Sequence, residues 1–223
     1  MIHLYALTAE PVALGGLRGV GGAAVRLVDC GSLCAVVSEH EQAPPALTGH
    51  ALAHAAVVAA VARTVPTLPV RFGSRHGDEQ TLRGRIGQRQ GQLSAQLRRL
   101  GRHVEFAVRA APEPEAQPSQ ARAGTGSGRA YLQRRLGQQQ AARCAAEAAR
   151  HRLRTRTAAL GGLSVLTSER DGPRGPETAY LVEAEHAERF RALAAEAVAG
   201  DPCLLLAGPW PPYTFAAQPA DGA

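Results

Sequence analysis

Lysine is missing from the sequence altogether. All 25 basic side chains among its 223 residues are arginine, set against 19 acidic ones, for a formal charge of +6. Surrounded by so much alanine and glycine, the arginines say more about composition than mechanism. A guanidinium still favours bidentate contact with carboxylates, so an acidic partner surface fits it, and charge alone leaves nucleic acid open as well. Aromatic residues are scarce, at 4% with a single tryptophan. Long apolar runs are missing too: the longest clean one, Ala55 to Ala62, is about half of what a bilayer crossing needs. The N-terminus passes from Met1 into Ile2, His3, Leu4, Tyr5, Ala6 and Leu7 with no basic leader or cleavage pattern. These absences predict a soluble, cytoplasmic protein with no membrane partner. Cys30, Cys34, Cys144 and Cys203 are then expected as thiols. The single C-x3-C pair, Cys30 and Cys34, has no second pair to complete a zinc site.

Reactive constellations are missing as well. His50 and His54 stand four apart on a helical stretch, but HALAH lacks the glutamate of HExxH and no third ligand is evident. Gly19, Gly21 and Ala24 match a GxGxxA fingerprint, yet Val25 to Val28 after it reads as a strand, where a dinucleotide site needs a helix. Gly124, Gly126 and Gly128 precede a helix without the Lys-Ser/Thr of a phosphate loop. No nucleophile, base or metal set assembles at a recognised spacing, so neither catalysis nor a cofactor is expected.

Apolar content of 45% and charged content of 20% place the chain among globular proteins, and its length allows one or two domains. Strands are expected over residues 2–8, 25–28 and 33–38, the last two forming a hairpin through Gly31 and Ser32. Ala46 to Thr64 reads as a helix with Leu47, His50, Ala51, His54, Val57, Val58 and Val61 on one face. Leu68 to Gly73, with Pro69 inside it, reads as an edge strand. Asp78 opens a second helix that runs to Leu100 and stops at Gly101; His103 to Ala110 alternates as a strand. Residues 111–128 form a proline- and glycine-rich linker. A long helix from Arg129 towards Leu160 follows, then strands at 163–167 and 178–183, a helix over 187–199 and an apolar strand at 203–207. The sum is an α+β protein of two domains. Residues 1–110 carry a mixed sheet with helices on one face, residues 129–215 form a modified ferredoxin-like domain lacking its first strand, and residues 216–223 are a disordered tail.

Where the chain is richest in aromatics it is also stiffest. Gly208, Pro209, Trp210, Pro211, Pro212, Tyr213, Thr214 and Phe215 hold the only tryptophan. The prolines force an extended run that loses little entropy on docking, either over the protein's own core or against a partner. GPWPPYTF resembles the closing signature of the gas vesicle protein F and L family, typically GPWPPYSF, with Thr214 in place of Ser. Other positions agree with that resemblance: His54, the run Leu68, Pro69, Val70, Arg71, Phe72 and Gly73 for LPLRFG, Glu105, Tyr131 with Leu132 at the head of the long helix, and Tyr180 in an aromatic-Leu-Val run. Arg71 has two readings, a clamp for a partner's carboxylate if exposed or an internal pair with an acid such as Glu105 if buried.

The resemblance implies a minor, non-enzymatic component located at the gas vesicle. Such a protein would bind the small hydrophobic shell protein, gas vesicle protein A, and other accessory proteins, and help start or sustain assembly. The competing reading is a basic ferredoxin-like RNA-binding module. It is weakened because RNA-recognition sheets need aromatics on two central strands, and His103 to Ala110 offers only Phe106.

Overall fold

The computed structural model describes residues 1–111, 128–172 and 174–216; of the expected linker 111–128 and tail 216–223, residues 112–127 and 217–223 lie outside them. The first sheet is built from β1 (Ile2–Thr8), β2 (Val25–Asp29), β3 (Cys34–Glu39) and β4 (Thr67–Pro69) in the order β2-β3-β1-β4, with the short β5 (Arg75–His76) also paired to β1. The β2-β3 pair and the pairs of β1 with β3, β4 and β5 are all antiparallel, which corrects the mixed sheet expected from sequence. β3 and β4, joined through the helix over Thr48–Ala62, lie on either side of β1 and pair with it rather than with each other, so the one connection long enough for a parallel pair does not make one. β1 is buried at every position, and its register shifts at Tyr5, between Leu4 and Ala6.

Three helices accompany this sheet. α1 (Thr48–Ala62) buries His54, Val57, Val58 and Val61. The single helix expected from Asp78 to Leu100 is instead two, α2 (Glu79–Gln88) and α3 (Gln90–Leu100), broken at Arg89 with φ −116° and ψ 12°. Gly87 and Gly91 flank the break, and glycine costs a helix about 1 kcal/mol per residue relative to alanine. Asp78 caps α2 by accepting a hydrogen bond from the Thr81 amide at 2.7 Å. Leu82, Ile86, Leu93, Leu97 and Leu100 are buried, as the periodicity predicts.

A second sheet takes β6 (His103–Ala110), β7 (Leu166–Gly172), β8 (Gly175–Glu183) and β9 (Leu204–Trp210) in the order β7-β8-β6-β9. Between β6 and β7 runs α4 (Gly128–Thr157), and α5 (Ala187–Val198) joins β8 to β9. β6 thus joins the second sheet, although sequence reading had counted it with the first, and it supplies the strand that the second half lacked. Apolar partners explain this placement, since Phe106 lies 4.9 Å from Phe190 of α5 and Tyr180 of β8 lies 5.3 Å from the same ring. The β7-β8 hairpin extends into a Gly- and Pro-rich stretch, where Asp171 pairs with Pro176 and Gly172 with Gly175.

Two carboxylates on strands of this second sheet are buried, Glu105 of β6 and Glu177 of β8. Glu177 of β8 takes Arg109 of β6 on one carboxylate oxygen, Nε at 2.9 Å, and Arg170 of β7 on the other, also Nε at 2.9 Å. Burial alone would raise this carboxyl, but Arg170 and Arg109 hold it below its ordinary range.

Contacts divide the chain into two compact units, residues 106–208 and residues 1–105 together with the stretch from Pro209. From Pro209 the closing segment therefore counts with the first unit rather than with the C-terminal domain expected from sequence, although Gly208 to Trp210 still complete β9 of the second sheet. Its anchors, described next, all lie in the first unit.

Candidate functional site

The motif from Leu68 to Gly73 is held through its backbone. Leu68 and Pro69 pair with Leu7 and Ala6, and the Val70 amide donates to the Tyr5 carbonyl at 3.0 Å. His54 of α1 fastens the other side. Its Nε2–H donates to the Val70 carbonyl at 2.8 Å, and because a carbonyl can only accept, Nδ1 is left to accept from His3 Nε2–H at 2.9 Å. Both imidazoles are therefore neutral with fixed tautomers. Burial, aided by His54 and His40, pushes His3 down to about 3, and burial lowers His54 as well. With both ring nitrogens engaged, His54 has no lone pair to offer a metal.

Tyr5 continues the network. Its ring stacks on His54 with centroids 5.1 Å apart, and its hydroxyl accepts from the Val20 amide at 2.8 Å and lies 2.8 Å from Ser38 Oγ, which in turn meets His40 Nε2 at 2.8 Å. Gly19 is obligatory beside it, since a Cβ there would lie 2.0 Å from the Tyr5 hydroxyl. The GxGxxA match is thus a packing feature: a single turn of 3-10 helix, Val20–Gly22, leads into β2. At the end of the LPVRFG run, Phe72 is half-buried against the His3 and His54 rings, and Gly73 takes φ +99°, a conformation other residues rarely adopt. Arg71 is exposed.

The closing octet splits into two parts. Gly208, Pro209 and Trp210 continue β9 as exposed positions, Trp210 at 40%. Pro211 and Pro212 are buried, and Tyr213 packs on the core cluster of Tyr5, Val36, Val57, Val58 and Val61. Tyr213, rather than Trp210, thus does the capping. Its hydroxyl is buried without a hydrogen-bond partner, and burial together with the nearby Glu105 carboxylate raises its pKa far above the ordinary phenol. Thr214 supplies the polar lock: its amide donates to Glu105 Oε2 at 2.8 Å and its hydroxyl to Oε1 at 2.6 Å. Glu105 is 2% exposed, so these donors satisfy a carboxylate that water does not reach. Phe215 is half-buried, and Ala216, expected in the disordered tail, is buried and donates its amide to the Pro212 carbonyl.

One stretch of the first unit carries no charged residue. From Gln42 to Ala62 there is no Asp, Glu or Arg, in a chain where 20% of residues are charged. An apolar helix is normally buried all round, yet α1 leaves Leu52 67% exposed with Ala55 and Ala56 beside it, and Leu47 at its head is 55% exposed. Next to that head lies a recess of about 290 Å³ lined by His3, Pro44, Pro45, Phe72, Gly73 and Arg75, among others. The helical period puts Leu47 on the inward face, whereas it is exposed; the uncharged run was the available signal for the exposed apolar residues of α1.

The remaining motif residues lie in the second unit. Tyr131 and Leu132 are exposed on α4, whereas Tyr180 is buried in β8. Cys30, Cys34 and Cys203 are buried free thiols. Among the described residues, no helix is long and apolar enough to cross a membrane.

Comparison with known proteins agrees with this architecture. The family profile described as gas vesicle synthesis protein GvpL/GvpF matches residues 1–217. The gas vesicle protein L of Streptomyces sp. (strain CB03234) is 30% identical over 254 residues, covering 96% of this chain and 92% of its own. Two crystal structures share the fold. GvpF from Anabaena sp. PCC7120 has a TM-score of 0.72 at 19% identity, covering 100% of this chain and 98% of its own. GvpF from Microcystis aeruginosa has a TM-score of 0.73 at 18% identity, covering 97% and 99%. With a profile match across nearly its whole length and a fold shared with GvpF, this chain belongs to the gas vesicle synthesis protein GvpL/GvpF family.

Proposed function

We propose that this protein is a non-enzymatic accessory component that holds the hydrophobic shell subunit, gas vesicle protein A, and other accessory proteins while the vesicle wall nucleates and grows in the cytoplasm. The observation that carries this reading is the uncharged stretch running from Gln42 through α1, with Leu47, Leu52, Ala55 and Ala56 turned outward. A small apolar subunit needs such a face before it polymerises, because its own exposed apolar area otherwise aggregates. The alanines let a partner backbone come close, and the recess beside Phe72 has room for a side chain. Trp210 offers a second exposed ring.

We read the second unit as ferredoxin-like; its β-α-β-β-α-β order from β6 to β9 and the strand order β7-β8-β6-β9 support this. RNA binding through that sheet is disfavoured, because Phe106 and Tyr180 are both buried and offer no ring for base stacking.

The test is retention of co-expressed shell subunit on the immobilised full chain. Leu52→Glu with Ala56→Glu should lower retention at least tenfold while the urea midpoint stays near that of the unaltered chain. Undiminished retention removes the α1 face from the reading. A well-folded, unaltered chain that retains no shell subunit removes the function itself.

A further inference from the structure

The exposed half of α4 plays no part in that reading. Burial along α4 sets in at Ala149 and continues with Leu153 and Thr157. From Tyr131 to Ala148 every side chain is exposed except the half-buried Ala146, a length of about 27 Å at helical rise. The two halves treat charge differently. In the packed half, Arg150 pairs with Asp171 at 2.8 Å, Arg152 with Asp201 at 3.6 Å and Arg154 with Glu169 at 3.2 Å, and Arg156 donates to the Ala199 carbonyl at 2.9 Å. Residues 131–148 carry Arg134, Arg135 and Arg143 against the single carboxylate Glu147, so the segment's own charge is positive.

Its apolar residues also fall in line. Leu132 and Leu136 are 59% and 58% exposed. Continuing from them in alternating steps of three and four residues reaches Gln139, Arg143, Ala146, the half-buried Arg150 that pairs with Asp171, and then the buried Leu153 and Thr157. The tip leucines thus share a row, at coiled-coil spacing, with the buried Leu153 and Thr157 of the packed half. A helix this long with Gly137 inside it is marginal when isolated in water, and covering the two leucines stabilises it.

The occupant is constrained by chemistry. A helix matches the three-four seam, and it must be acidic, because Arg143 sits in the seam and Arg135 flanks it. A second copy of this arm fails that requirement: it would set arginine against arginine with only Glu147 to offset them. We propose that residues 131–148 are a docking rail for an acidic amphipathic helix of another protein. Leu132 and Leu136 receive its apolar stripe, and Arg135 and Arg143 receive the carboxylates beside it. This assignment is independent of the α1 face.

Cys144 gives direct access to the arm, since it is exposed and off the seam while Cys30, Cys34 and Cys203 are buried. A maleimide fluorophore on Cys144 of the full chain is titrated with three probes: a synthetic heptad peptide with Leu at a and d and Glu at e and g, its Glu-to-Lys counterpart, and a 20-nucleotide poly(U) RNA. The acidic peptide should raise the anisotropy, and its affinity should fall with added salt. The lysine peptide should bind at least tenfold more weakly. Leu132→Ala with Leu136→Ala should weaken the acidic peptide at least tenfold, and Arg135→Glu with Arg143→Glu should reverse the preference towards the lysine peptide, all with circular dichroism unchanged. The rail is overturned if the acidic peptide does not bind, if neither pair of substitutions alters its binding, if poly(U) binds in its place, or if the labelled chain only self-associates.

Discussion

The lock between Thr214 and Glu105 can be tested by removing a single hydroxyl. Thr214→Val keeps the shape and the amide donor but deletes the 2.6 Å bond to Oε1, leaving a carboxylate that is 2% exposed with one donor fewer. Hydrogen bonds to charged groups contribute about 1.5–3 kcal/mol, and a buried acceptor left short of partners loses an amount of that order. At a urea dependence of roughly 2 kcal/mol per molar, the unfolding midpoint should drop by about 1 M. Thr214→Ser, the residue typical of the family signature, keeps the hydroxyl and loses a methyl group, so it should cost no more than about 0.8 kcal/mol. A cycle with Glu105→Ala isolates the pair: the double variant should lose at least about 1 kcal/mol less than the two single losses combined. Equal stability of the Val and Ser variants, or simple additivity in the cycle, would refute the reasoning.

The same segment gives a gain. Tyr213→Phe removes a buried hydroxyl that has no partner, so it should raise stability by up to about 1 kcal/mol, read as a higher urea midpoint. Its phenol has a raised pKa, so the folded state resists ionisation that the unfolded chain accepts near pH 10. Stability is therefore complete below that pH and is lost as pH climbs past it, and the Phe variant should lose less on alkaline titration. His3, held at about 3, works in the opposite direction: the unfolded chain takes up a proton below pH 6.5 while the folded one does not, so stability falls between pH 6.5 and 3. At pH 5 the loss is about 2 kcal/mol, and His3→Phe should flatten the acid limb of a stability-versus-pH curve. Gly19→Ala drives a methyl group into the Tyr5 hydroxyl and should cost more than about 2 kcal/mol, measured by thermal or urea unfolding.

Periodicity and turn residues made most elements legible: β1, β6, α1 and α5 lie within a residue or two of their expected bounds. Such signals are local, carried by neighbours along the chain. The octet from Gly208 was likewise legible as a stiff, apolar stretch that had to dock, because proline geometry is set by the residue itself. Its partner was not. Glu105 lies 109 positions from Thr214, and nothing in either neighbourhood marks the pairing. Nor could pattern alone say that β6 joins the second sheet, since an alternating strand fits any sheet with an open edge. His54 was readable as a helix-face histidine, while its tautomer depended on Val70 and His3 arriving at its two nitrogens. Trp210 and Tyr213 stand three residues apart with similar apolar character, and only the position of β9's end decided which faced water. The sequence by itself determined the helices, strands and stiff segments, because backbone geometry and side-chain period act over a few residues. Tertiary structure decided which of them meet and which apolar and charged faces stay uncovered, because that depends on contacts between residues far apart in the chain.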